Sequence, residues 1–387
     1  MMDFTHILTD PYTQVVSSFL AFAFVILSLY YGLFYMRVGR SKGTGTKKNA
    51  APASPALPPV SVVMTVQNDA DNLKANLLYL LEQDYPDFEV VVVDYLSTDD
   101  TVFTLKILSE NYKHLKVVTF RENASGYQGR KYPLSIGIKS AANDILLFTE
   151  PDCMPADTTN FGWIREMVKG YVHKNIDIVL GYCAIQSKAS LFNWLQQYDN
   201  LDYSSEYLAA ALLRHPFSGN GRNLSYRRSL FLKNGGFIYH YHIPDGADDM
   251  FVNQNSRRRN TSVVLTPESF TSVPPCATLA QWHDYRKRRV STHAFYGLGL
   301  KISRMVRPLN VLVFYLAAVL LFVGGKFPWQ ILAAVLLLKL AWQIVATAKA
   351  ARRLSVRPVV YWLSPLFEIY FLIANTIFAI VPLSKKK

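Results

Sequence analysis

Two hydrophobic patterns alternate along the chain. Residues 15–36, from Val15 to Met36, are apolar and uncharged over a length that spans a bilayer core. Three further apolar stretches lie at about 308–324, 328–348 and 359–382. Between them the pattern shortens. Val60 to Val66 is a β-branched run that predicts a strand. Leu73, Leu77, Leu80 and Leu81 share one side of a helix predicted over Asp69 to Gln83. Strands are then predicted at Phe88 to Val93, Leu115 to Phe120 and Ile145 to Thr149, with helices at Thr101 to Tyr112 and Tyr132 to Ala142. Continuous apolar strands alternating with helices predict an α/β fold with a mainly parallel sheet covered on both faces. Such sheets bind ligands at their strand carboxyl ends. Further on, Ser190 to Leu213 reads as one long helix or a helical pair. Gly219 to Phe237 reads as a Gly/Asn-rich turn, a short helix and Gly235-Gly236, and Ile243 to Arg259 as a loop and a helix. Thr278 to Arg304 is basic and aromatic, suited to a membrane surface. No internal repeat is visible.

The segmentation gives an N-terminal anchor at 1–36, a flexible basic linker at 37–58, a globular domain at 59–295, and interfacial and transmembrane helices at 296–387. The first apolar block lacks a basic leader and a small-residue cleavage site, and is too long for a signal core, so it is read as retained. Ser41 to Pro59 is rich in Gly, Lys, Ala and Pro, as linkers are. The chain of 387 residues carries a formal charge of +13. Nucleic acid or anionic lipid would each suit that charge. The basic clusters (Arg37, Arg40, Lys42, Lys47 and Lys48; Arg286 to Arg289; Arg352, Arg353 and Arg357) hug the apolar blocks, which favours membrane lipids and no nucleic acid. The positive-inside rule then puts 37–307 and the 349–358 loop in the cytosol, with a multi-pass layout suited to a bacterial inner membrane. Lys385 to Lys387 oppose this if the last segment spans fully. Pro365 and Glu368 lie within that segment, so a re-entrant or interfacial course stays open. Cys153, Cys183 and Cys276 have neither zinc spacing nor even pairing.

The chemistry sits at strand ends. The strand over Ile145 to Thr149 runs into Glu150-Pro-Asp152. Residues two apart on an extended chain point the same way, so both carboxylates can reach one hard cation, Mg²⁺ or Mn²⁺, beyond the strand. A plain acidic turn is the simpler alternative. Asp94 stands at the end of the second strand, ahead of Ser97 and Asp99, either of which can cap the next helix. It is either a spare acid or an acceptor for a nucleotide's base or ribose. Gly126 to Lys131 is a basic glycine-containing turn before a helix, where Lys131 can meet a diphosphate. Asp248-Asp249 opens a helix, where acids suit the dipole and one can also serve as a general base.

Val60 to Val66, Asp94-x-x-Ser-Thr-Asp99, Gly129-Arg-Lys131, Glu150-x-Asp152, Asn223 to Arg228 with Gly235-Gly236, and Asp248-Asp249 come in a familiar order. Over roughly 58–295 the chain resembles the membrane-associated family 2 glycosyltransferases of GT-A (Rossmann-like) fold. The resemblance implies that the first strand, at Thr65 and Val66, cradles the donor nucleoside with Asp94. It implies that Glu150 belongs to the donor site and that Asp152 holds the divalent cation. Asp249 would be the general base, with Asp248 beside it, and Lys131 and Arg288 would meet the diphosphate. The donor would be a nucleotide sugar, UDP-linked as is commonest in the family, and transfer would invert the anomeric centre. Two departures stand out. Glu150 replaces the first Asp of the usual pair. The Gln-x-x-Arg-Trp of processive members is replaced by Tyr285-Arg-Lys-Arg288-Arg289. The missing Trp argues for transfer of a single sugar to a lipid-linked or envelope glycan acceptor. A processive polysaccharide synthase and an inactive scaffold of an envelope-synthesis complex are the alternatives.

Overall fold

The computed structural model describes residues 10–41, 57–120, 129–171 and 173–380, with side chains to 374. Two compact units emerge, Ser41–Phe295 and a second made of Met1–Arg40 with Tyr296–Lys387.

The first unit is built on a seven-stranded sheet. Its strands are β1 (Val60–Val66), β2 (Phe88–Tyr95), β3 (Leu115–Phe120), β4 (Ile145–Phe148), β6 (Ile178–Leu180), β8 (Leu224–Arg227) and β9 (Thr261–Val263), in spatial order β3-β2-β1-β4-β8-β6-β9. β1 to β4 pair in parallel, β8 runs antiparallel to β4 and β6, and β9 is parallel to β6. A small second sheet joins β5 (Met154–Pro155), β10 (Thr271–Val273) and β7 (Cys183–Ile185) in the order β5-β10-β7. The long strands and their helices fall within two residues of the expected spans; the helices are Ala70–Leu81, Thr101–Asn111 and Lys131–Ser140. All seven residues of β1 are buried, as are Val90 to Val93 of β2. Each such valine is worth roughly 1.5–3 kcal/mol when buried. An exposed pair such as Arg165–Asp84, at 3.0 Å, is worth about 0–1 kcal/mol. Apolar burial therefore holds the sheet together.

Register and close packing place the chemistry. Val66 of β1 pairs with Asp94 of β2, and Val63 pairs with Phe148 at the end of β4. A Cβ on Gly137 would come within 2.8 Å of Val93 and 2.9 Å of Val63. The helix Lys131–Ser140 thus lies directly on the two central strands, and its first residues overhang their carboxyl ends.

Among its described residues the second unit contains three helices long and apolar enough to cross a membrane, Pro11–Arg40, Leu298–Gly324 and Trp329–Arg353. Within the first, Pro11–Leu33 packs along Leu298–Gly324, and Tyr35–Arg40 packs against Trp329–Arg353. A Cβ on Gly39 would meet the Lys349 backbone at 2.6 Å, so glycine permits that approach. Glu368 is buried here. It accepts from Tyr31 Oη at 2.6 Å and Lys339 Nζ at 2.6 Å, and Arg307 Nη2 lies 3.4 Å away. The fourth apolar stretch differs from the other three. It breaks at Leu363 into Pro358–Trp362 and Ser364–Ile380, with Pro365 in the first turn of the latter. Lys385 to Lys387 and most of the linker, residues 42–56, lie outside the described residues.

Candidate active site

The first two strand ends are stitched together. Asn68 N donates to Ser97 Oγ at 2.9 Å, and Thr98 N donates to Asn68 Oδ1 at 2.8 Å. Asn68 and Leu96 hold left-handed backbones, φ 51° and 59°, which non-glycine residues adopt only when the surroundings insist. Ser97 is spent on this stitch. Asp99 Oδ1 accepts from the Thr101 amide at 3.0 Å and so serves the start of the next helix. Beside the stitch, Asp94 is wholly buried, with the neighbouring Ser97 close enough to influence its carboxylate. Burial pushes its carboxyl up, tempered by the nearby Ser97.

β4 delivers the acid pair. Glu150 Oε1 accepts from Arg130 Nη1 at 2.7 Å, and Glu150 Oε2 accepts from Arg222 Nε at 3.0 Å. Asp152 Oδ2 accepts from Arg222 Nη2 at 2.8 Å, and Asp152 Oδ1 takes the Cys153 thiol at 3.3 Å. All four carboxylate oxygens are therefore engaged. The Arg222 guanidinium also stacks on Tyr285, 5.1 Å from the ring centroid. Against the cost of burial, Arg130 and Arg222 hold the Glu150 carboxyl down at about 2. The oxygen donors suit Mg²⁺ or Mn²⁺ chemically, but two guanidiniums already balance the two carboxylates. Among the described residues no group of three His, Cys, Asp or Glu side chains could hold a metal. As folded, the pair does not fit a cation. Cys153 packs with Cys183 and Val273 as a small filler.

Gly129 has φ 91°, and a Cβ there would strike the Pro244 carbonyl. This close approach joins the turn before the helix to the loop that carries Asp248 and Asp249. Arg130 then points to Glu150 and Lys131 turns inward. Lys131 is 1% exposed, and its Nζ donates to the carbonyls of His240 (2.7 Å) and Ile243 (2.8 Å). Burial pulls its ammonium down to about 8. The expectation that Lys131 meets a diphosphate is thereby corrected: two of its three donors hold the loop, and its neighbour Arg130 is the cation at the acid pair. Residues 126–128 of that turn lie outside the described residues.

Asp248 precedes the helix Asp249–Asn255, and its Oδ2 accepts from the Gly221 amide at 2.7 Å. Burial, with Asp249 adjoining, pushes Asp248 up to about 6. Asp249 Oδ2 accepts from Thr292 Oγ1 at 2.5 Å. Both acids line a cavity of about 230 Å³ together with Thr65, Arg130, Glu150, Arg222, Tyr285 and Arg288. Five of the expected site residues thus share one wall: Thr65, Glu150, Asp248, Asp249 and Arg288. Asp152 reaches that wall only through Arg222. Val66, Asp94 and Lys131 do not line it. The basic run at 286–289 is also more than a membrane-surface patch. Arg289 and Arg286 lie 2.8 Å and 3.3 Å from the buried Asp199. Sequence reasoning missed Arg130, Arg222 and Thr292. Only proximity in the fold distinguishes them, and nothing in Asn220-Gly221-Arg222 signals an acid pair 70 residues earlier in the chain.

A Rossmann-like sheet with acids and arginines gathered at its strand carboxyl ends is the arrangement of a GT-A domain. Residues 61–235 match Glycosyl transferase family 2. The chain is 32% identical to glycosyltransferase AglE of Haloferax volcanii over 127 residues, 32% of this chain and 39% of that protein. The match thus spans about two fifths of the relative's length. A solved mannosyltransferase from Pyrobaculum calidifontis, in complex with GDP-Man and Mn²⁺, superposes with a TM-score of 0.56 at 20% identity. That superposition covers 94% of this chain and 97% of the other, and shows that the fold is shared.

Proposed function

We propose that the chain is a membrane-associated, inverting, non-processive glycosyltransferase. It transfers one sugar from a nucleotide sugar to a lipid-linked or envelope glycan acceptor, with its GT-A domain on the cytosolic side. The observation that carries this reading is a single cavity walled by Asp248, Asp249, Glu150, Arg222 and Arg288. Asp249, held by Thr292, takes the proton of an acceptor hydroxyl. The freed oxygen bonds to the anomeric carbon as the bond from that carbon to the diphosphate oxygen breaks, which inverts the centre. Negative charge builds on the departing nucleoside diphosphate, and Arg288, Arg130 and Arg222 are the cations placed to meet it. Asp94, buried at the end of β2, is suited to accept from the nucleoside. The three long apolar helices and the basic residues near their ends support a multi-pass protein. The mannosyltransferase of the same fold binds GDP-Man, so guanosine donors belong beside the UDP-sugars expected from the family.

The test is nucleotide release by the purified full-length protein with membrane lipids and a panel of UDP-, GDP- and TDP-sugars. One donor is expected to be cleaved, adding one sugar per acceptor. Asp249→Asn is expected to slow release about 10²- to 10⁴-fold. No release from any donor would overturn the proposal, and a long-chain product would favour a processive synthase.

A further inference from the structure

We infer that Arg222 and a divalent cation are mutually exclusive occupants of the Glu150–Asp152 pair, so the guanidinium must leave before the pair can take Mn²⁺ or Mg²⁺. The geometry is that of a built clamp. Arg222 bridges the two acids through Nε and Nη2, at 3.0 Å and 2.8 Å, and lays its face on Tyr285. Arg130 takes the remaining Glu150 oxygen and the Cys153 thiol the remaining Asp152 oxygen. With Arg130 and Arg222 the local charge sums to zero. A divalent ion at the pair would break these charge-assisted bonds and lie against a guanidinium with no acid left to neutralise it. The residue's backbone is fixed. Its carbonyl accepts from Thr271 Oγ1 at 2.9 Å and its amide donates to Asn220 Oδ1 at 3.1 Å. Only the side chain is left to move, and it already lines the cavity. A diphosphate bound there offers the guanidinium an alternative anion, and the carboxylates are freed as it crosses. The meaning of this exchange rests on the sugar-transfer reading; the exclusion itself does not.

The test is Mn²⁺ titration of the full-length protein without nucleotide, following free Mn²⁺ by its paramagnetic resonance signal. Wild type is expected to bind weakly. Arg222→Gln should bind at least about tenfold more tightly, since it removes the competing charge and both of its bonds. Asp152→Asn added to Arg222→Gln should return binding to the weak level. Arg222→Lys keeps the charge on a point-like head that cannot fork across both acids, and should fall between the two. It serves as the second variant if Arg222→Gln fails to fold. The inference is overturned if wild type binds Mn²⁺ as tightly as Arg222→Gln, or if neither variant gains over wild type. Neither result touches the transfer reading, because no donor or acceptor is present.

Discussion

Asp248 sets how the site responds to acid. Its carboxyl, pushed up to about 6, holds a proton in the folded protein well above the usual aspartate value of 3.8. The sign follows from linkage. The stability this group contributes is full below the unfolded value and is lost as pH rises through about 6. Activity runs the other way, because Asp248, beside the proposed base Asp249, carries its negative charge only above that value. Nucleotide release at saturating donor should climb between about pH 5 and 7, with its midpoint near 6, and Asp248→Asn should flatten that limb. Lys131 makes a different prediction. Replacing it by Met leaves the carbonyls of His240 and Ile243 without their donor, at about 1–3 kcal/mol for a buried polar group left unpaired. The thermal midpoint of the detergent-solubilised protein should fall, and the loop from 240 to 246 should lose amide-exchange protection. If Lys131→Met unfolds like wild type, the ammonium is not holding the loop. The acids were legible in the sequence because each follows a strand or opens a helix. Arg222 was not, because its importance lies in what it touches.

Among the elements, those that obey one strong period were readable. β1 to β4 and their helices carry four or more apolar residues in register, enough for alternation or helical spacing to show. β5, β6, β7, β9 and β10 have two or three residues each, too few to carry a pattern. β8 lies in the Gly219 to Phe237 stretch, where a Gly/Asn-rich turn and a short helix are expected and no strand, because Asn220, Gly221 and Asn223 dominate the composition ahead of it. Its antiparallel insertion between β4 and β6 brings Arg222, two residues before it, to the acids that follow β4. In the apolar unit the element-scale prediction concerns Glu368. Glu368→Ala leaves Lys339 and Arg307 buried without their carboxylate and should cost about 3–5 kcal/mol. Unfolding of the detergent-solubilised protein should shift accordingly. Glu368→Gln should recover part of the loss, since the amide oxygen still accepts from Tyr31. Equal stability of Glu368→Ala and wild type would show that the cluster is incidental.

At the scale of the whole molecule, the net charge of +13 is a poor guide to any one arginine. Part of it does lie near the apolar helices, as the sequence suggested. Another part is internal, with Arg130 and Arg222 on one acid pair and Arg286 and Arg289 on Asp199. Composition counts these residues identically. The layout of anchor, GT-A domain and further apolar helices was visible because hydropathy blocks survive folding unchanged. The cavity was not, because its wall draws on segments from Val63 to Thr292. The buried carboxylate at 368 has one further consequence, for biogenesis. It is the last of its cluster to leave the ribosome, after Tyr31, Arg307 and Lys339. Its ion pair with Lys339 can therefore form only once that part of the chain has been made.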